Sequence, residues 1–300
     1  MELKAEQVPQ VSDLLAWLEP AMVPPLFPPQ VCAALQALAV TLPAARFLLF
    51  ECHLGATHAR VDLSLGQIRA LPADLDVPAL RVHPGAILLE YDLGLSARPA
   101  VFASFSHRAP ATAPRLAELA TALLPPAGPE VAAMLRHAAE AQQAAATWIT
   151  QFGAMLSRAH SPIRLNIGGR SRTAISGYAG RLGMPPASQA LLATWFDLAA
   201  GLDADFILAI DIAESVLPRI GLEYYFADNV SSGHFFDRLR ARGLCDAGES
   251  AGIRPWSEEG RVARRLNHIK LVGTAPDEVR AKAYLAAHYR SDTDAPEQRA

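Results

Sequence analysis

The chain has 300 residues, 51% hydrophobic and 19% charged, with a formal net charge of −3. That balance fits a globular chain with a sizeable core and excludes a disordered one. A net charge so close to zero leaves no global basic field for nucleic acid or an anionic membrane surface.

In chain order, "SDLLAWLE" (12–19) begins with a capping serine and predicts a short helix. After a Pro-rich interruption, "QVCAALQALAVTL" predicts a second. From residue 46 the hydrophobic period shortens. "RFLLFECHL", "HARVDLSL", "GAILLEYDL" and "PAVFASFS" are short apolar or alternating runs between Gly, Pro and Ser, the pattern of strands. Residues 111–123 and 129–158 are rich in Ala and Leu with few breakers and predict helices. "PIRLNI" predicts a strand, "SRTAISGYAGRLG" a helix closed by glycine, and "PASQALLATWFDLAAGL" another helix. "ADFILAIDI" and "RIGLEYYF" predict strands, "GHFFDRLRARGL" a helix, and "NHIKLV" and "VRAKAYLAAHY" two final strands. Without a clear linker, residues 1–290 predict one domain, and the polar "SDTDAPEQRA" (291–300) a loose tail.

Four segments share a layout: "FLLFECHLGATHARVDLSL", "ILLEYDLGLSARPAVFASF", "FILAIDIAESVLPRIGLEYYF" and "HIKLVGTAPDEVRAKAYLAAH". Three open with an apolar strand that carries a late acid, Glu51, Asp92 or Asp211. The fourth has Lys270 in its first strand. After a short turn each second strand opens with an arginine: Arg60, Arg98, Arg219 and Arg280. Turns this short permit only antiparallel hairpins. With the strand at 163–168 they make about nine strands, interleaved with helices. The expected fold is therefore α+β, with antiparallel hairpins forming a barrel-like sheet and helices packed outside. Apolar residues would face the helices, and polar residues of the other parity would face a lumen.

"EVRAKAYLAAHY" (278–289) states this alternation most clearly: Arg280, Lys282 and Tyr284 share one parity, and Ala281, Ala283 and Leu285 the other. "ILAID" leading to "PRIGLEYYF", and "HIKLV" leading to the full R-x-K-x-Y of Arg280, Lys282 and Tyr284, resemble the strands of the aromatic prenyltransferases of ABBA architecture. Within them the chain resembles the dimethylallyl-tryptophan-synthase branch, and "RFLLFE" is similar to the first strand of the cyanobactin peptide prenyltransferases. The match consists of short motifs scattered over 46–289. The lysine and tyrosine positions read Gly221 and Glu223 in the third copy, Asp62 and Ser64 in the first, and Ala100 and Phe102 in the second.

The resemblance implies a metal-independent transfer of an allylic prenyl group from a diphosphate to an aromatic small molecule or a peptide side chain. Such chemistry needs cations for the leaving diphosphate, aromatic faces for the carbocation and a carboxylate for the acceptor. Arg60, Arg164, Arg219, Lys270, Arg280, Lys282 and Tyr284 are the expected diphosphate contacts, Tyr225 the carbocation shield and Glu51 the catalytic carboxylate. Most of these have a structural alternative. Lys282 and Tyr284 could lie on a wet strand, Arg280 in a turn, and Lys270 and Arg164 on solvated strands. Arg219 could pair with Glu223 on a surface, and Glu51 could sit in a salt bridge.

Prenyl diphosphate would enter as a substrate, with no cofactor and no magnesium. No acidic DDxxD-like run, HExxH, P-loop or G-x-S-x-G motif is present. His53 and His58 are too few for a metal claim. "IGGRSRT" (167–173) reads either as an anion-binding helix start or as a plain capped turn. Cys32, Cys52 and Cys245 form no C-x-x-C pair, "MELKAEQVPQ" has no apolar signal core, and no apolar run reaches the roughly 18 residues of a membrane span. These features point to a cytoplasmic protein without membrane or nucleic-acid partners. Two further readings stay open: a non-catalytic barrel that binds a small ligand or precursor peptide in natural-product biosynthesis, and an open sheet without a lumen.

Overall fold

The computed structural model describes residues 8–56, 59–83, 85–93, 98–106, 110–124, 128–158 and 162–290. His58 and the 291–300 tail lie outside them. Strands β1 (Ala45–Leu54), β2 (Val61–Ile68), β3 (Ile87–Tyr91), β4 (Ala100–Ser104), β5 (Thr147–Ala154), β6 (Ile163–Gly169), β7 (Ala204–Ile212) and β8 (Val216–Phe226) follow one another around a sheet. The two-residue β9 (Ser257–Glu258) only edges β10 (Val262–Gly273). β10 pairs with β8, and β11 (Arg280–Tyr289) pairs with both β10 and β1. The last pairing closes a barrel of ten antiparallel strands and removes the open edges a flat sheet would carry. The expected α+β barrel is thus present, and the open-sheet reading is excluded.

Strand periodicity divides each strand between two environments. On β1, Leu48, Phe50 and Cys52 face outward and are all but fully buried, while Phe47, Leu49, Glu51 and His53 face the lumen. On β11, Ala281, Ala283, Leu285 and Ala287 face outward. The outward residues meet a coat of helices: α1 (Val11–Leu18), α2 (Pro29–Ala39), α3 (Pro78–Arg81), α4 (Ala113–Leu123), α5 (Pro129–Ala144), α6 (Arg172–Arg181), α7 (Pro186–Leu198), α8 (Asn229–Arg240) and α9 (Ala247–Ile253). α1 rests on β10, α4 and α5 on β5, α6 on β6, and α7 and α8 on β8. Phe50 meets Phe27 edge-on at 5.5 Å and Trp256 at 5.3 Å, and Tyr224 packs on Phe235 at 4.4 Å. Each such ring contributes about 1.5–3 kcal/mol by burial. The hydrophobic core is therefore the annulus between barrel and helices, which frees the lumen for polar groups.

Two expectations need correction, and one element was missed. Residues 129–158 are not one helix: α5 stops at Ala144, Ala146 takes φ +53°, and "TWITQFGA" becomes β5. Its β-branched and aromatic residues prefer the pleated surface, which raises the strand count from about nine to ten in the barrel. Ser12 is not a cap: α1 starts from an extended Gln10 without a side-chain cap. α9 was not foreseen, although Asp246 and Glu249 form a reciprocal capping box at its start.

The division of faces is testable on β5. Phe152→Ala, outward and fully buried, should lower the urea-denaturation free energy by about 3–5 kcal/mol. Gln151→Ala, on the adjacent lumen-facing position, should lower it by about 1 kcal/mol. Equal losses would refute the assignment of faces.

Candidate functional site

The antiparallel hairpins bring the late residues of each first strand and the early residues of each second strand to the same end of the barrel. There the charged side chains meet. Glu51 is buried on β1, opposite Asp62 of β2 on one side and Tyr284 of β11 on the other. Lys282 Nζ and Tyr284 Oη donate to its two carboxylate oxygens. His53 Nε2 lies 3.3 Å from Glu51 and 3.0 Å from Asp62, and Arg60 pairs with Asp62 at 3.3 Å. Burial opposes ionisation of Glu51, but Lys282 and His53 outweigh it and hold the carboxyl well below its ordinary value. Burial likewise pulls His53 down, but its bonds to Asp62 and Glu51 prevail and raise it. Burial, with Glu51 beside it, pushes the Tyr284 phenol well up, so it stays a donor.

Two further pairs line the wall. Arg164 of β6 grips Asp211 of β7 through two bonds of 2.8 and 2.9 Å, the fork geometry that favours arginine. Lys270 of β10 donates to Glu223 of β8 at 2.9 Å, and Tyr225 Oη donates to the same carboxylate at 2.9 Å. Lys270 also answers the missing third-copy lysine: a Cβ on Gly221 would lie 2.7 Å from Lys270 Cε. The cation absent from β8 is supplied by its neighbour, and the glycine makes the room.

Two arginines at this mouth differ from the rest. Arg219 is half-buried at the start of β8, Arg280 is exposed at the start of β11, and neither forms a hydrogen bond or ion pair in the described residues. They line one cavity of about 500 Å³ with Gly273, Thr274 and two acids, Asp277 and Glu278, neither of which is ion-paired with them among the described residues. Burial, with the neighbouring guanidiniums of Arg164 and Arg158, outweighs the Asp211 and Glu51 carboxylates and depresses Arg219 below its ordinary value.

Deeper in the lumen lies a second cavity, of about 230 Å³. One wall is a ladder of rings across three strands: Tyr225 stacks on His268 at 4.7 Å, and His268 on Tyr284 at 4.0 Å. Burial drives His268 down to about 4, so its ring is neutral at physiological pH and its face is electron-rich. The facing wall holds Glu90 of β3 and Asn166 of β6. Glu90 forms no hydrogen bond with the described residues, and its nearest cation is Arg158 at 3.7 Å. Burial, reinforced by the Glu51 charge, raises it to about 7. A third cavity of about 500 Å³ lies outside the barrel between α8 and α9, remote from these charges.

Glu51, Arg164, Lys270, Lys282, Tyr284 and Tyr225 thus converge inside one lumen, with Arg60 at its end and Arg219 and Arg280 at its mouth. The wet-strand alternatives for Lys282 and Tyr284 are excluded, because both are 6% exposed. Glu223 pairs with Lys270, not with Arg219. At "IGGRSRT" the turn reading holds: Ser171 caps α6 by accepting from Ala174 N at 3.1 Å. Glu90, His268, Asn166 and Arg158 escaped sequence reading. Glu90 carries the same signal as Glu51, an acid within an apolar strand, but Asp92 two residues on took that role in the repeat. Glu51, His53 and Asp62 lie close enough to share a metal ion, but Lys282 and Arg60 already balance those carboxylates.

No protein-family model and no curated protein matches the sequence. Solved structures do. The chain is similar to the prenyltransferase PriB in its apo form, at 14% identity and a TM-score of 0.57, with 92% of this chain and 96% of that chain covered. The binary complex of PriB with product diphosphate matches at 14% identity and a TM-score of 0.51, covering 92% and 94%. AnaPT from Neosartorya fischeri aligns at 10% identity and a TM-score of 0.49, over 81% and 77%. The chain has the ABBA prenyltransferase barrel fold.

Breaking a buried pair should expose its cost. Lys282→Met leaves Glu51 as an uncompensated buried carboxylate and should destabilise by about 3–5 kcal/mol. Lys282→Met combined with Glu51→Gln should recover most of that loss in thermal unfolding; an unrecovered double variant would refute the pairing. Glu90 has the opposite sign. Its value in the fold, about 7, exceeds the ordinary 4.5, so the folded chain holds this proton more tightly. Stability from this group is complete below pH 4.5 and is lost as pH rises through 7. Glu90→Gln should therefore stabilise by about 1–3 kcal/mol at pH 8 and by nothing at pH 4. Equal effects at both pH values would contradict it.

Proposed function

We propose that this protein transfers an allylic prenyl group from a diphosphate donor to an aromatic small molecule or a peptide side chain, without a metal ion. The observation that carries the reading is the pair Arg219 and Arg280, two arginines that form no ion pair among the described residues, at the mouth of a closed, polar-lined barrel. A diphosphate there would complete their charge, and Arg60, Arg158, Arg164 and Lys282 would add to the field it meets. PriB, whose fold this chain shares, is known with product diphosphate bound, which supports the same use of the barrel here.

From that mouth the prenyl chain would point into the lumen. As the C–O bond breaks, the electron pair leaves with the diphosphate, and the cationic allyl fragment lies against the rings of Tyr284, His268 and Tyr225. Those faces attract the cation and exclude water that would otherwise quench it. Glu51 holds Lys282 and Tyr284 in place. The positive charge that a magnesium ion would bring is supplied by the mouth arginines. The reading assigns the protein to natural-product biosynthesis and to the cytoplasm. No helix among the described residues is long and apolar enough to cross a membrane, and all three cysteine thiols are free.

A second reading, a non-catalytic barrel that binds a ligand or precursor peptide, is favoured by one feature. Lys282, Lys270, Arg164 and Arg60 each already have a carboxylate partner. Calorimetry with inorganic pyrophosphate in EDTA separates the two. The transferase reading expects binding that weakens at least tenfold in Arg219→Ala, and product formation from dimethylallyl diphosphate with an indole or phenol acceptor. No pyrophosphate binding would leave the ligand-binding barrel.

A further inference from the structure

The cavity of about 500 Å³ between α8 and α9 takes no part in the site inside the barrel. Much of its lining is apolar: Phe236 of α8, Ile253 of α9, Leu266 of β10 and the ring of Trp256. Trp256 stacks on Phe27 at 5.8 Å and meets Phe50 at 5.3 Å. It is 1% exposed, and its indole Nε1 is buried without a hydrogen-bond partner among the described residues. An indole nitrogen can only donate, and the two phenylalanine rings carry no lone pair to accept from it. An orphaned buried donor is costly, so an acceptor has to come from the cavity that Trp256 lines.

The rim calls for the same kind of occupant. Arg240 donates to Asp237 at 2.5 Å, so that pair is balanced within itself. Arg254 also lines the cavity, is exposed, and forms no ion pair among the described residues. The lining thus holds one cation in excess and one orphaned donor, and its acid, Asp237, is already taken. Gly233 leaves the α8 side of the cavity bare: a Cβ there would meet nothing within 4 Å. Glycine inside a helix costs stability relative to alanine, and no neighbour demands it at this position. Val230 beside it is 67% exposed and extends the apolar lining outward. About 500 Å³ falls within the roughly 300–1,000 Å³ of small-molecule sites.

We propose that this cavity is a second binding site, for a small organic acid whose flat apolar body lies along Trp256 and whose carboxylate serves Arg254 and the indole N–H. The class follows from the lining. A neutral hydrocarbon would leave the N–H orphaned and Arg254 unpaired. A small hydrophilic anion such as phosphate would gain nothing from Phe236, Ile253 and Leu266. A cation would meet Arg254. A carboxylate beside a guanidinium forms charge-assisted hydrogen bonds, and a flat ring removes apolar surface from water against the Trp256 face. The site lies outside the barrel wall, so it stands whether or not the lumen carries out a prenyl transfer.

Full-length protein labelled with nitrogen-15 is titrated with 2-naphthoate, with the neutral 2-naphthamide and with inorganic phosphate. The indole N–H resonance that is missing from Trp256→Phe is followed by NMR. 2-Naphthoate should bind one to one, shift that resonance, and bind at least tenfold more tightly than either 2-naphthamide or phosphate. Gly233→Leu fills the cavity from α8 and should weaken 2-naphthoate binding at least twentyfold, with a melting temperature no lower than that of the unaltered protein. Arg254→Ala, at an exposed position, should weaken it at least fivefold without moving the melting temperature, and it decides alone if Gly233→Leu proves unstable. No 2-naphthoate binding up to millimolar concentration, equally tight binding of 2-naphthamide or phosphate, or an unmoved Trp256 resonance overturns the proposal. So does an unchanged affinity in either folded variant, which is also the result expected if 2-naphthoate enters the barrel lumen instead.

Discussion

A closed barrel that turns its charged residues inward must neutralise them there, because a buried charge without a partner is expensive. The rest of the molecule follows from that constraint. Glu51 with Lys282, Glu223 with Lys270, Asp211 with Arg164 and Asp62 with Arg60 are the local solutions. Three of the four join neighbouring strands, so they also tie the wall of the barrel together. The apolar residues that would ordinarily fill a core are displaced to the annulus beneath the helices.

Against this balanced background the unbalanced groups stand out. Arg219 and Arg280 remain cationic at the mouth. Glu90, Asn166 and His268 remain acceptors in the depth. The two sets lie at successive positions along the lumen, with the aromatic ladder beside the inner one. The proposed transfer would draw on both, the mouth cations for a leaving diphosphate and the aromatic ladder for an allylic cation.

Much of the fold was legible because strands repeat with period two. The alternation of Arg280, Lys282 and Tyr284 with Ala281, Ala283 and Leu285 gave the inside and outside of β11 directly. The apolar parity in "RFLLFECHL" did the same for β1, and the shortness of the turns gave antiparallel hairpins. β5 was hidden because "AAAT" continues the Ala-rich run of α5, so composition gave no break where the backbone makes one. In the site, the position of Glu51 was readable as an acid within an apolar run. Its bonds to Lys282 and Tyr284 were not, since strands more than 200 residues apart in sequence meet only when the barrel closes. Gly221 read as a lost lysine, and only the packed structure places Lys270 in that space. His268 was invisible because a histidine beside "IKLV" carries no signal until two tyrosines from other strands stack on it.

The most direct test is a crystal structure of the protein with a non-hydrolysable thiodiphosphate analogue of dimethylallyl diphosphate. The account predicts the diphosphate between Arg219 and Arg280, its prenyl chain directed past Tyr284 into the lumen, and the four ion pairs intact. An anion bound elsewhere on the surface, with Arg219 and Arg280 still unpaired and the lumen empty of prenyl chain, would contradict it.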